Sequence, residues 1–82
     1  MRKFDYTDYT ANPGKYRLFK TARIATHLFT NNGEHDLHEG TFVGITYHCT
    51  ARNQLYRRDE PLYRLSGSNR IVYANVLCDF VL

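Results

Sequence analysis

Thr41-Phe42-Val43-Gly44-Ile45-Thr46-Tyr47-His48-Cys49-Thr50 is the stretch on which the fold turns. Successive side chains of an extended strand point to opposite faces. Val43, Ile45, Tyr47 and Cys49 therefore share one face, and Phe42, Gly44, Thr46 and His48 the other. The first set is apolar throughout, and the β-branched and aromatic residues suit a pleated, half-buried surface. A glycine in mid-strand marks a bulge or the close approach of another backbone. The stretch predicts a strand over 41–50 with its odd-numbered residues against a core.

Toward the C-terminus, Ala51 to Pro61 reads as a loop or short hairpin rich in Arg, with Leu55-Tyr56 as its apolar pair. Leu62 to Leu65 is a short strand, and Ser66-Gly67-Ser68-Asn69 has the composition of a turn. Ile71 to Leu82 then predicts a second long strand. Val72, Ala74, Val76, Cys78, Phe80 and Leu82 fall on one parity and make its core face. Ile71, Tyr73, Leu77 and Val81 lie on the other, to be covered by residues 4–9 or by a second copy in a homodimer.

Toward the N-terminus, His35 to Glu39 is a polar loop preceded by the turn Asn31-Asn32-Gly33-Glu34. Lys15 to Thr30 admits two readings. Leu18, Ala22, Ala25 and Phe29 recur at helical spacing, whereas Ala22, Ile24, Thr26 and Leu28 alternate with Arg23, Ala25, His27 and Phe29 as in a strand. The strand reading makes the chain mainly β; a helix at about 16–29 would make it α+β. Residues 1–14 form an irregular arm or short edge strand closed by Asn12-Pro13-Gly14, a turn signal. The arm docks through Phe4, Tyr6 and Tyr9 or orders on a partner. The expected organisation is this arm followed by one β domain over 15–82.

The order of strand, long polar loop, long strand, short hairpin and terminal strand resembles the SH3-like small barrels. The resemblance is carried by Ala25-Thr26-His27-Leu28-Phe29, Asp36-Leu37-His38-Glu39-Gly40 and Phe42-Val43-Gly44-Ile45, within about residues 22–47. It implies a small barrel, or otherwise a compact antiparallel sheet. It implies no ligand preference, because the chain has no Trp for proline-rich peptides, has Gly40-Thr41 where the family has Gly-Asp, and lacks the proline before the last strand.

A chain of 82 residues makes one domain and leaves little interior for a buried active site. No stretch approaches the ~18 apolar residues of a membrane span. The N-terminal residues lack the apolar run of a signal peptide. A cytoplasmic protein with both cysteines reduced is expected, without contact with a membrane.

The four histidines and two cysteines suggest a metal site only loosely. His35 and His38 flank Asp36 beside Glu34 and Glu39, with His48 or Cys49 as a further ligand, but the spacing matches no zinc pattern. Cys49 and Cys78 sit on inward faces as small hydrophobes. The His48–Cys49 neighbours point to opposite faces and cannot form a nucleophile pair. With no phosphate loop or nucleophile elbow, the expectation is no enzyme, no cofactor and no metal.

The net charge is +3, with arginine far outnumbering lysine. Arg52, Tyr56, Arg57, Arg58, Tyr63 and Arg64, with Arg70 and Tyr73 across the next turn, interleave cations and rings. Such a surface suits a protein interface, where Tyr and Arg dominate hot spots. It also suits phosphates and stacked bases, or pairs Arg57 and Arg58 with Asp59 and Glu60 on a solvated hairpin. The leading reading is a protein-interaction or inhibitory accessory module, of the small aromatic-rich kind common in phages and mobile elements. The alternative is an SH3-like nucleic-acid-binding module using the same hairpin.

Overall fold

The quoted stretch is the central strand of a five-stranded antiparallel sheet in the computed structural model, which describes residues 2–29 and 36–82. Along the chain come helices α1 (Tyr6–Ala11) and α2 (Pro13–Tyr16), then strands β1 (Thr21–Ile24), β2 (Phe42–Asn53), β3 (Arg58–Leu65) and β4 (Ile71–Tyr73). A 3-10 turn over Ala74–Val76 leads into β5 (Leu77–Val81). Across the sheet the order is β4-β3-β2-β1-β5. The chain is thus mainly β, in the form of an antiparallel sheet. β4 and β5 are its two edges and do not pair with each other, so the barrel implied by the resemblance is not closed.

β2 follows its alternation as far as Tyr47: Ile45 is buried, Val43 and Tyr47 are half-buried, and Phe42 and Thr46 are exposed. The register then shifts between Tyr47 and Cys49, and the Thr50 hydroxyl meets that of Tyr47 at 2.8 Å, so the expected place of Cys49 on the Tyr47 face is corrected. The strand runs on to Asn53, and β3 begins at Arg58, so of the two readings of 51–61, loop or short hairpin, the hairpin holds, as the tip of a longer β2–β3 pair. Gly44 marks where β2 changes partner: Gly44 pairs with Thr21 of β1, and Ile45 with Leu65 of β3. A Cβ on Gly44 would lie 2.5 Å from the Ser66 Oγ and 3.1 Å from its Cβ. The mid-strand glycine therefore reports a close approach.

In the ambiguous segment the strand wins. Ala22 and Ile24 of β1 are fully buried, and the helix over 16–29 does not form; only α2 touches that range. A strand whose alternate residues enter the core gains more than a helix interrupted by Thr21 and Thr26. Beyond β1 the chain leaves the sheet and is pinned by a bridge between Leu28 and Leu37. The expected turn at 31–34, and His35, lie outside the described residues.

Two further expectations are corrected. The N-terminal segment is not irregular. Asp5 caps α1, its carboxylate accepting from the amides of Thr7 and Asp8 at 2.9 and 3.2 Å, and Pro13 opens α2 with its φ already set for a helix. Helices of 6 and 4 residues are too short to show a 3.6-residue period. They dock through a cluster of aromatic rings. Tyr16 meets Phe4, Tyr9 and Phe19 edge-on at 5.6, 5.4 and 5.0 Å, the arrangement that ring quadrupoles favour. Asp8 fastens α2 to α1: its carboxylate accepts from Lys15 Nζ at 2.8 Å and the Tyr16 hydroxyl at 2.7 Å. These two bonds hold its acid constant down at about 2. Residues 2 and 3 run along β5, with Lys3 bridged to Cys78 and the Asp79 amide donating to the Arg2 carbonyl.

The second correction concerns residues 71–82, which are two strands rather than one. The 3-10 turn at Ala74–Val76 carries the chain from one edge of the sheet to the other and resets the parity. Leu77, assigned to the outer face, is fully buried, whereas Leu82, assigned to the core, is 71% exposed. Asp79 adds a left-handed residue at φ 50. Phe80, assigned to the core face, packs against Phe4 and Tyr16; on the face expected to need cover, Leu77 is buried within the sheet's own core. Ile71 and Val81 stay partly exposed.

Candidate functional site

The β2–β3 hairpin is built on a buried polar base. Glu60 has no exposed surface and Asn53 almost none, and a carboxylate in such a place needs partners. Its Oε2 accepts from Arg58 Nε at 2.6 Å and its Oε1 from Asn53 Nδ2 at 3.3 Å. The other end of the Asn53 side chain accepts from the Leu55 amide at 3.0 Å, shaping the turn. Arg57 completes the turn with a left-handed φ of 54°. The Arg58 guanidinium lies 4.4 Å from the Tyr6 ring of α1 and 4.9 Å from the Tyr56 ring of the turn. One cation thus couples the turn to the N-terminal helix.

At the tip the apolar residues point outward. Leu55 is 80% and Tyr56 50% exposed, and Arg52, Gln54, Arg57 and Asp59 around them are exposed as well. The structure brings together Arg52, Tyr56, Arg57 and Arg58 of the residues singled out from sequence. Tyr73 of β4 joins them through its hydroxyl, which donates to the Arg52 carbonyl at 2.6 Å. Arg64 lies toward the other end of the hairpin, opposite Thr46 and Ile71. Arg70 is turned toward the Phe29 carbonyl, to which its guanidinium donates.

Tyr63 belongs to no surface. It is fully buried, its hydroxyl donates to the Tyr16 carbonyl at 2.6 Å, and burial pushes its phenol above the ordinary range. A tyrosine on a strand whose two faces are both partly apolar reads the same from sequence whichever way it points. Leu55, in contrast, is a tip residue that a list of arginines and tyrosines leaves out. Its signal was present: an apolar side chain between Gln54 and Tyr56 at the turn of a charged hairpin.

Both cysteines are free; Cys78 is buried, which raises its thiol, and Cys49 is half-buried. His27 Nε2 lies 3.3 Å from Asp36 Oδ2, with the His38 ring edge-on to it at 4.5 Å. Among the described residues no three His, Cys, Asp or Glu side chains are grouped to hold a metal ion; His35 lies outside them. No described helix is long and apolar enough to cross a membrane. Compared with known proteins, the chain matches no family model, no curated protein and no solved structure.

Proposed function

We propose that this chain is a non-enzymatic protein-binding module, of an accessory or inhibitory kind, that presents the β2–β3 tip to a protein partner in the cytoplasm. The observation that carries the reading is the exposure of Leu55 and Tyr56 on a turn whose base is buried and hydrogen-bonded. An ordered backbone beneath exposed apolar side chains spares the loop-ordering part of the binding entropy, leaving about 0.5–1.5 kcal/mol for fixing each side chain. A leucine and a tyrosine ringed by Arg52, Arg57 and Gln54 have the make-up of an anchor with a polar rim. The flanking arginines favour a partner with acidic groups around an apolar pocket.

Affinity capture from the cells that make the protein tests this, with the wild type and a Leu55→Ala/Tyr56→Ala variant as baits. Both substitutions are at exposed positions, so the variant folds, which circular dichroism checks. A partner held by the wild type and weakened by at least about 30-fold in the variant, the scale of a ~2 kcal/mol hot spot, supports the reading. Equal capture by both baits overturns it.

A further inference from the structure

A line of contacts runs from the N-terminal helix into the β2–β3 turn. It starts at Tyr6, the first residue of α1, whose ring centre lies 4.4 Å from the Arg58 guanidinium carbon. Arg58 Nε donates to Glu60 at 2.6 Å, and Glu60 accepts from Asn53 Nδ2 at 3.3 Å. Asn53 Oδ1 in turn accepts from the Leu55 amide at 3.0 Å. The contacts lead from a helix outside the hairpin to the backbone of its tip.

The helix end of this line is held independently of the turn. Asp5 caps α1, Asp8 fastens it to α2, and the Tyr9 hydroxyl meets Thr50 Oγ1 of β2 at 3.0 Å. Arg58 is the joint that needs holding. Its bond to Glu60 fixes the guanidinium at one nitrogen, and 29% of the side chain is exposed. A ring within about 6 Å of a cation attracts it. Tyr6 is the nearest ring, ahead of Tyr56 at 4.9 Å and Phe4 at 5.9 Å. Tyr56 belongs to the turn itself, so the closest support from outside the hairpin is Tyr6.

We propose, on the reading of the tip as the binding surface, that Tyr6 is a positioning residue for it. By holding Arg58 against α1, it keeps the turn in the form that presents Leu55 and Tyr56. A cation–ring contact at a partly exposed site shifts an equilibrium by about two- to fivefold. Apparent affinity scales with the fraction of molecules whose site is competent. Drawing Tyr6 away from Arg58 therefore loosens the tip without touching Leu55 or Tyr56, which makes α1 a handle on binding from a neighbouring element.

The test is amide hydrogen exchange of the full chain, read residue by residue by NMR without denaturant, where turn amides exchange by local opening. No partner enters the measurement, so its failure is distinguishable from failure of the binding reading, which the capture assay decides. Tyr6→Ala should speed exchange of the Leu55 amide by about two- to fivefold. Tyr6→Phe keeps the ring and the wild-type rate. The Ser68 amide, bonded to the Leu65 carbonyl in the turn at the other end of β3, keeps its rate in both variants. An unchanged Leu55 rate in Tyr6→Ala overturns the proposal. So does equal acceleration at Leu55 and Ser68, which would make Tyr6 a general support of the fold. A Tyr6→Phe protein as fast as Tyr6→Ala likewise overturns it, because the ring would then hold nothing.

Discussion

Replacing Glu60 by alanine removes the one acceptor that both Arg58 and Asn53 use inside the hairpin base. Breaking a buried ion pair by deleting one partner costs about 3–5 kcal/mol when the remaining charge is sealed from water. The Arg58 side chain keeps 29% of its surface exposed, so solvent takes up part of that loss and about 2–3 kcal/mol remains. A chain of 82 residues has a total stability of only about 4–12 kcal/mol. Glu60→Ala is therefore expected to lower the Tm by about 10–20 °C, at the ~4–8 °C per kcal/mol typical of this size. Thermal and urea unfolding followed by circular dichroism measure it. Glu60→Gln keeps the volume and an acceptor for Asn53 and should lose about half as much. The Leu55 amide, bonded to Asn53, should exchange its hydrogen faster in the alanine variant than in the glutamine one. A Glu60→Ala protein within about 0.5 kcal/mol of the wild type, inside the scatter of ordinary surface substitutions, would show that the buried base does not hold the tip.

Three further outcomes are expected. Tyr63→Phe leaves the buried Tyr16 carbonyl without its donor and should cost about 1–3 kcal/mol in urea unfolding; no change would mean that water replaces the hydroxyl. Gly44→Ala forces a methyl group against Ser66 and should destabilise by about 1–3 kcal/mol. Adding Ser66→Ala should restore part of the loss, and strict additivity of the two would argue against the contact. The folded acid constant of Asp8 is depressed to about 2, so its support for the α1–α2 junction is present above the unfolded carboxylate range near 3.9. It is lost as pH falls through about 2. Amide spectra of residues 12–16 should shift in that window, and Asp8→Asn should abolish the shift.

The alternation in residues 42–47 is legible because one side of β2 faces the core and the other faces solvent, so chemistry and geometry share a period of two; the register shift after Tyr47 ends it. Over 71–82 the same logic holds at Val72, Ala74, Val76, Cys78 and Phe80, which are buried or packed on the core, and fails at Leu77 and Leu82. The interruption is a three-residue 3-10 turn of Ala74, Asn75 and Val76, in which a single asparagine between two apolar residues is the one turn signal, too little to mark a break in an otherwise strand-like run. α1 is hidden for a different reason, being shorter than two turns; only Asp5 and Pro13, read as caps, point to helices there. The tip was half legible. Charge and aromaticity drew attention to Arg52 through Arg58, but which tyrosine faces inward depends on the strand pairing that buries Tyr63 and leaves Tyr56 out.

The contact between residues 2–3 and β5 has a consequence for how the molecule is made. Arg2 and Asp79 are 77 positions apart, and β1 needs both β2 and β5 as neighbours. On the ribosome the β2–β3 hairpin, whose partners are close in sequence, can zip as soon as it emerges. The rings of Phe4, Tyr9 and Tyr16, made first, must wait for Phe80 of β5 before their cluster is complete. During translation these rings therefore stay uncovered until β5 has been made, and a chaperone can hold them or a neighbouring chain can capture them.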